Sequence, residues 1–391
     1  MNRITRRELL RRGALGGAVL TVPSILAACG GGDGIEGEAG QTAATEETTT
    51  ARRELAERLT IANWPLYIDV NEQTKKRPSL EQFTRQTGVR VRYLEEVNDN
   101  EEWFGKYQAQ LAAGDDIDRD IVVLSDWMAA RMIKLGYVQK KDKEAIPNEA
   151  NLREALRSPG WDPEREYSLP WQSGLTGIAY NKKTIGKVST VDQLLTDPRL
   201  KGKVTMLAEM PDTMGVIIKA QGDDPEKVTD ESFDRALATL QEAVDSGQIR
   251  RFTGNDYVED LATGNVWAAH AWSGDIAAGL DDPNIEFTLV DTGSHLWTDN
   301  MVIPNGGDVF TASTFMNYVY DPVVAARIAA YVYYITPVDG AEEEIAEFDE
   351  TAVGNPLIFP SEQDLAKTWI FDAAAADAPD YKEKYQTVIG A

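Results

Sequence analysis

Cysteine and histidine are almost missing from this chain of 391 residues. Cys29 is the sole cysteine, so no disulfide can close within the chain. With only His270 and His295 as imidazoles, neither a zinc constellation nor a histidine-based catalytic triad is available. His270 lies in the apolar run VWAAHAW, where a core position is expected. Positive charge is scarce as well. Lys+Arg number 39 against 64 Asp+Glu, a formal charge of −25, which argues against nucleic acid or an anionic membrane surface as a partner and suits a cationic ligand. No apolar run comfortably spans a bilayer, and no internal repeat is present.

What is present begins with an export signal. Arg3, Arg6, Arg7, Arg11 and Arg12 form a basic segment ahead of the short apolar stretch Ala14 to Ala28. TRRELL resembles the twin-arginine export motif, with Leu9 where phenylalanine is commoner. LAAC, ending at Cys29, resembles a bacterial lipobox, whose cysteine is lipidated. Residues 1–29 are therefore expected to be a lipoprotein signal peptide. Residues 30–58 are expected to be a flexible tether, since GGGDGIEGEAGQTAATEETTTAR has almost no large apolar side chain to bury. The chain is expected to be exported and held by its lipid at the outer face of the cytoplasmic membrane.

From Leu59 the pattern alternates strands and helices. LTIAN, VRVRYLEEV and the apolar Ile121–Leu124 read as strands, separated by the helices RPSLEQFTRQTG and EEWFGKYQAQLAAG. A second series gives the strands GLTGIAYN, KGKVTMLA, GNVWAAHAW, IEFTLVD and NMVIP. The amphipathic helix DESFDRALATLQEAVDSG lies among them, and the helix DPVVAARIAAYVYYI follows. The order predicts an α/β fold with a mostly parallel sheet covered by helices.

In such sheets ligands bind beyond the carboxyl ends of strands. Aromatic and acidic side chains collect at these ends. Trp64 and Tyr67 flank the proline turn after the first strand, and Ser125, Asp126 and Trp127 follow the third. Glu209 and Asp212 follow KVTML, Trp272 ends NVWAAHA, and Trp297 and Asp299 precede NMVIP. Turns ordinarily carry small polar residues, so this placement points to the lining of a cleft.

The stretches NWPLYID, DIVVLSDW, YSLPWQSGLTGIAYN, AWSGD, LWTDNMVIP and YVYDPVVAARIAAYVYYITP resemble, in order and spacing, the spermidine/putrescine-binding group of extracellular solute-binding proteins of ABC transporters. The resemblance implies a two-lobed, type II periplasmic-binding-protein-like fold with a hinge and an interlobe cleft. It places residues 59–174 and 298–342 in one lobe and 175–297 and 343–391 in the other. It assigns ligand contacts to Trp64, Tyr67, Ser125, Trp127, Glu209, Asp212, Trp272, Trp297, Asp299 and Tyr334. It implies a monomer that needs no cofactor or metal, captures a polyamine and delivers it to a membrane permease. Carboxylates would bind the ammonium groups and aromatic rings the methylenes, with cation–π attraction added.

Other readings remain open at this level. Another cationic or small organic solute would suit the same framework. The adjacent Tyr333 and Tyr334 resemble a ferric-iron dyad, and paired carboxylates among aromatics also occur in secreted glycosidases. Glu209 and Asp212 could simply complement a helix dipole, and Tyr334 could be a buried helix residue.

Overall fold

The computed structural model describes residues 53–390 except 72, 280 and 281. The expected signal peptide, Cys29 and nearly all of the tether lie outside the described residues. The strand β1 (Arg58–Asn63) is buried from its second residue onward, and the chain turns out of the sheet at Pro65, which has no N–H to offer a ladder. It pairs in parallel with β2 (Arg90–Glu95) and β3 (Ile121–Ser125). Between them run α1 (Pro78–Thr87), which ends at Gly88 with φ 79°, and α2 (Asn100–Ala113). The Asp99 side chain caps α2 by accepting the Glu102 N–H. A third helix, α3 (Asp126–Lys134), leaves β3 directly, and the two-residue β4 (Val138–Gln139) follows.

The strands form one sheet in the order β2, β1, β3, β10 (Ser294–Pro304), β5 (Ser168–Asn181), β8 (Ala268–Trp272), β6 (Val204–Leu207), β7 (Ile249–Thr253). Its second parallel group joins β6 to β7 and β8. The expectation of a mostly parallel sheet is corrected by the two strands at its centre. β5 and β10 pair antiparallel with each other and with the flanking groups. Both begin six residues earlier than GLTGIAYN and NMVIP suggested, because pairing in a buried setting extends through Pro170, Gly174 and Asp299. Two short strands, β4 and β11 (Thr368–Trp369), add to β10, and β9 (Ile285–Thr288) adds to β5.

Side chains pack into two cores. Leu59, Ile61, Phe83, Phe104, Ile121 and Phe315 belong to the first, beneath α6 (Val309–Val319) and α7 (Pro322–Val332). Val204, Met206, Met214, Ile217, Phe233 and Leu240 belong to the second, with α4 (Met210–Ala220) and α5 (Asp230–Asp245). Ile345, Ala352 and Ile358 pack on the first core, and Trp369, Phe371 and Tyr385 join the second. Tyr257 and Trp272, placed by sequence in the second lobe, are continuous with the first core through an aromatic bridge described below. The chain ends in the helices Ala373–Asp377 and Pro379–Ile389.

Phe233 is fully buried and stacks on Tyr381 of the last helix at 4.0 Å between centroids, 8° from parallel. Phe233→Ala should therefore cost about 3–5 kcal/mol in urea unfolding followed by circular dichroism. A loss below about 1 kcal/mol would contradict this packing.

Candidate ligand-binding cleft

The cleft is built on the central strand pair. Along β10, His295, Trp297 and Asp299 alternate and so share one face. Trp297 lies opposite Gly174 of β5, and a Cβ at Gly174 would stand 2.2 Å from the indole Cζ2. Glycine is thus what allows the ring to lie on the backbone. Gly274 does the same for Tyr334, whose ring would meet a Cβ there at 2.6 Å. The register slips between Asp299 and Asn300, a bulge that turns this end of the strand.

Other elements bring the remaining walls. At the exit of β1, Leu66 adopts φ 57° and its N–H bonds the Glu95 carboxylate, which folds Trp64 and Tyr67 inward; both are buried. Ser125 closes β3 and precedes Asp126 and Trp127 of α3. Glu209 stands at the N-cap position of α4 and Asp212 in its first turn. Trp272 ends β8, and Tyr334 follows α7 after Tyr333, whose φ of 57° terminates that helix. All ten residues singled out in the sequence border one cavity of about 270 Å³.

Five aromatic contacts run through and beside this cavity, mostly edge to face. Trp171 meets Tyr67 at 6.4 Å, Tyr67 meets Tyr334 at 5.4 Å, and Tyr334 meets Trp297 at 5.3 Å. Trp297 then meets Trp272 at 6.4 Å, and Trp272 meets Tyr257 at 6.2 Å. The rings form a continuous apolar wall whose negative faces favour a cation.

Five carboxylates also line the cavity: Asp126, Glu209, Asp212, Asp275 and Asp299. No lysine or arginine is among the described lining residues. Asp299 accepts the Ser125 hydroxyl at 2.7 Å. The Tyr67 hydroxyl is close enough to lower the Asp299 pKa, yet no partner for it meets hydrogen-bond geometry. Burial prevails and pushes Asp299 up to about 7. Burial likewise carries Asp126 to about 6, against the Arg165 charge and an Asn300 N–H bond of 2.6 Å. Glu209 is raised well above its ordinary range by burial and by the nearby acids Asp99 and Asp212. It accepts both the backbone and side-chain N–H of Asn100, at 3.3 and 3.1 Å, tying α4 across the cleft to α2. Asp212 goes the other way. Burial would raise it, but His295, by charge and by hydrogen bond, holds it below the usual carboxylate value.

An ionic cluster lies beside Trp127, outside the cavity lining. Glu101 of α2 meets Lys382 at 2.7 Å and Arg131 at 3.0 Å, while Asp377 meets Lys134 at 3.1 Å and Arg131 at 3.4 Å. Lys382 also sits 5.4 Å above the Trp127 ring. The C-terminal helices are thereby fastened to α2 and α3.

Several lining residues escaped the sequence reading. Asp275 accepts N–H and O–H donors from Asn255, Tyr257 and Tyr334 at 2.6, 2.8 and 3.0 Å. Its position three residues after Trp272, in the quoted AWSGD, was a usable signal. His295 was signalled by its alternation with Trp297 and Asp299. Trp161 and Phe371 come from distant segments and carried none. His270 is buried and, with burial dominant, depressed to about 4, so it is a neutral core group. The tyrosine dyad does not converge: Tyr333 donates to Asp349, whereas Tyr334 donates to Asp275. Glu209 and Asp212 occupy the helix terminus that the dipole reading described and border the cavity as well.

Residues 79–353 match the family model for bacterial extracellular solute-binding proteins. The chain is 28% identical over 335 residues to the putrescine-binding periplasmic protein SpuD of Pseudomonas aeruginosa, covering 80% of this chain and 86% of that protein. It is 25% identical over 329 residues to the spermidine/putrescine-binding periplasmic protein of Escherichia coli, covering 83% and 89%. Among solved structures, the TpPotD lipoprotein of Treponema pallidum superposes with a TM-score of 0.72 at 22% identity, over 85% of this chain and all of that one. PotD of Streptococcus pneumoniae gives 0.68 at 22% identity, over 85% and 97%. These likenesses establish the two-lobed, type II binding-protein fold. With its fold, its cleft between lobes and the family match in agreement, the chain belongs to the bacterial extracellular solute-binding proteins.

Proposed function

We propose that this protein captures a linear polyamine of the putrescine or spermidine type in the cleft and delivers it to the permease of an ABC importer. The observation that carries the reading is the composition of the cavity wall: aromatic rings packed edge to face and five carboxylates, with no lysine or arginine to answer them among the described lining residues. A ligand bearing ammonium groups on a methylene chain supplies the missing charge and fills the apolar wall. Trp64, Tyr67, Trp127, Trp272, Trp297 and Tyr334 would cover the methylenes. Glu209, Asp212 and Asp299 would face the ammonium groups, with Ser125 orienting Asp299. Asp275, identified from the geometry, joins this set. Lobe closure would exclude water and strengthen each charged contact. The reading assigns no catalytic step and no cofactor, and a monomer suffices, because the trap closes within one chain.

Calorimetric titration with putrescine, cadaverine, spermidine and spermine tests the reading; binding of none of them would overturn it. Asp299→Asn removes the charge while keeping size. Affinity for the amine bound best should fall by about 2–4 kcal/mol, roughly thirty- to a thousandfold, because an ammonium is left unpaired. An unchanged dissociation constant would remove Asp299 from the site.

The raised Asp299 value adds a pH dependence of known sign. Near pH 6 the empty site holds a proton that an ammonium must displace, so affinity should rise with pH and level off above about 7. Stability runs oppositely. The native carboxyl retains a proton that the unfolded chain, with a carboxyl pKa near 4, has already lost. Its contribution is therefore present below about pH 4 and is lost as the pH rises through about 7. Ligand-free Asp299→Asn protein should accordingly gain melting temperature over the parent at pH 8 and gain less at pH 5. An equal difference at both values would contradict a buried, unpaired carboxylate.

Export and anchoring through Cys29 form part of the same proposal, supported by TRRELL and LAAC. Cys29→Ala should still be exported but should fractionate as soluble protein without acyl chains, whereas the parent should partition with membranes. A parent lacking acyl chains refutes the anchor.

A further inference from the structure

Two carboxylates of the cavity wall, Glu209 and Asp299, are joined through a side chain that is not part of that wall. Asn100 opens α2, whose Phe104 and Leu111 pack in the first core, and it is buried without bordering the cavity. Its Oδ1 accepts the Ser125 backbone N–H at 3.1 Å, which fixes the other end of the amide as the NH2 group. That group donates to Ser125 Oγ and to Oε1 of Glu209, each at 3.1 Å. An amide nitrogen accepts nothing, so Ser125 keeps its single hydroxyl hydrogen for Oδ1 of Asp299, 2.7 Å away. The Asn100 backbone N–H adds a bond to the same Glu209 oxygen at 3.3 Å. Every hydrogen in the chain from Glu209 through Asn100 and Ser125 to Asp299 thus has one direction.

The chain also crosses the molecule. Glu209 precedes α4, whose Met214 and Ile217 belong to the second core. Ser125 follows Leu124 of the first core, and Asp299 precedes Met301 and Val302 of the same core. Each carboxylate enters the chain through one oxygen, Oε1 of Glu209 and Oδ1 of Asp299, so the chain itself leaves the second oxygen of each to a ligand.

We infer that Asn100 is a positioning residue for ammonium capture: its amide directs Ser125 towards Asp299 on one side of the cleft and holds Glu209 from the other. This rests on the polyamine reading above. Parting the two cores breaks the Glu209 bonds but spares those between Asn100 and Ser125, which share a core. The Asp299 end is therefore set before closure, and closure itself fixes the Glu209 end.

The test titrates the full chain with putrescine and spermidine, as parent, Asn100→Ala, Ser125→Ala and the double variant. Each single change should weaken binding of the better amine about tenfold or more. Ser125→Ala should cost less in the Asn100→Ala background than in the parent, because the hydroxyl has already lost the bond that directs it. A general loosening of α2 would instead give losses that multiply. Multiplying losses overturn the inference, as does an Asn100→Ala variant that binds like the parent. A parent that binds neither amine overturns the polyamine reading and this inference with it. A parent that binds an amine and shows multiplying losses overturns this inference alone. Should Asn100→Ala not fold, the side-chain NH2 resonances of Asn100 in the unaltered protein decide. Both hydrogens are engaged, so at saturating amine their exchange with water should be slow, and rapid exchange overturns the inference.

Discussion

The antiparallel pairing of β5 with β10 is the constraint on which the rest of the molecule depends. Both strands run between two parallel groups that would otherwise be separate sheets, and both are largely buried. Side-chain alternation along β10 then dictates that His295, Trp297 and Asp299 face the same way. A slip of one residue would turn all three from the cleft. The Gly174–Trp297 pair works against such a slip, because other positions opposite the indole would bring a Cβ into it. The bulge after Asp299 ends this face where the strand enters the first core.

Electrostatic cost follows from that geometry. A fold that buries Asp126, Glu209 and Asp299 at one place must keep them partly protonated or find cations for them. Burial dominates the upward shift of all three and so favours their protonated forms. On the polyamine proposal, the same feature equips the cleft for an ammonium ligand, and stability is given up where charge complementarity is held ready. Asp212 is the exception, satisfied from within by His295 and Thr176. The ionic cluster of Glu101, Arg131, Lys134, Asp377 and Lys382 lies beyond the aromatic wall and fastens the C-terminal helices without entering the cavity.

Much of this was legible before any coordinates. Hydrophobic runs, glycine stops and proline starts marked most of the strands and helices, because local periodicity and backbone chemistry act within a few residues. The aromatic and acidic residues at strand ends stood out for the same reason, and the ten so marked do share one cavity. What sequence could not reach were features set by pairing at long range. β5 and β10 looked half as long, since Pro170, Gly174 and Asp299 oppose strand structure locally and only buried partners override them. Which core Ile345, Ala352 and Ile358 join is likewise set at long range, since composition does not tell it.

The sequence by itself determined the strand–helix alternation, the acidic surplus, the near absence of thiol and imidazole chemistry, and which residues stand at the strand ends. Each is a property of composition or of neighbours in the chain. Tertiary structure alone decided that Glu209 would reach Asn100 across 109 positions and that His295 would meet Asp212 across 83. It also decided that Asp275 would be surrounded by donors. Those meetings depend on strand order and register, which no local pattern encodes.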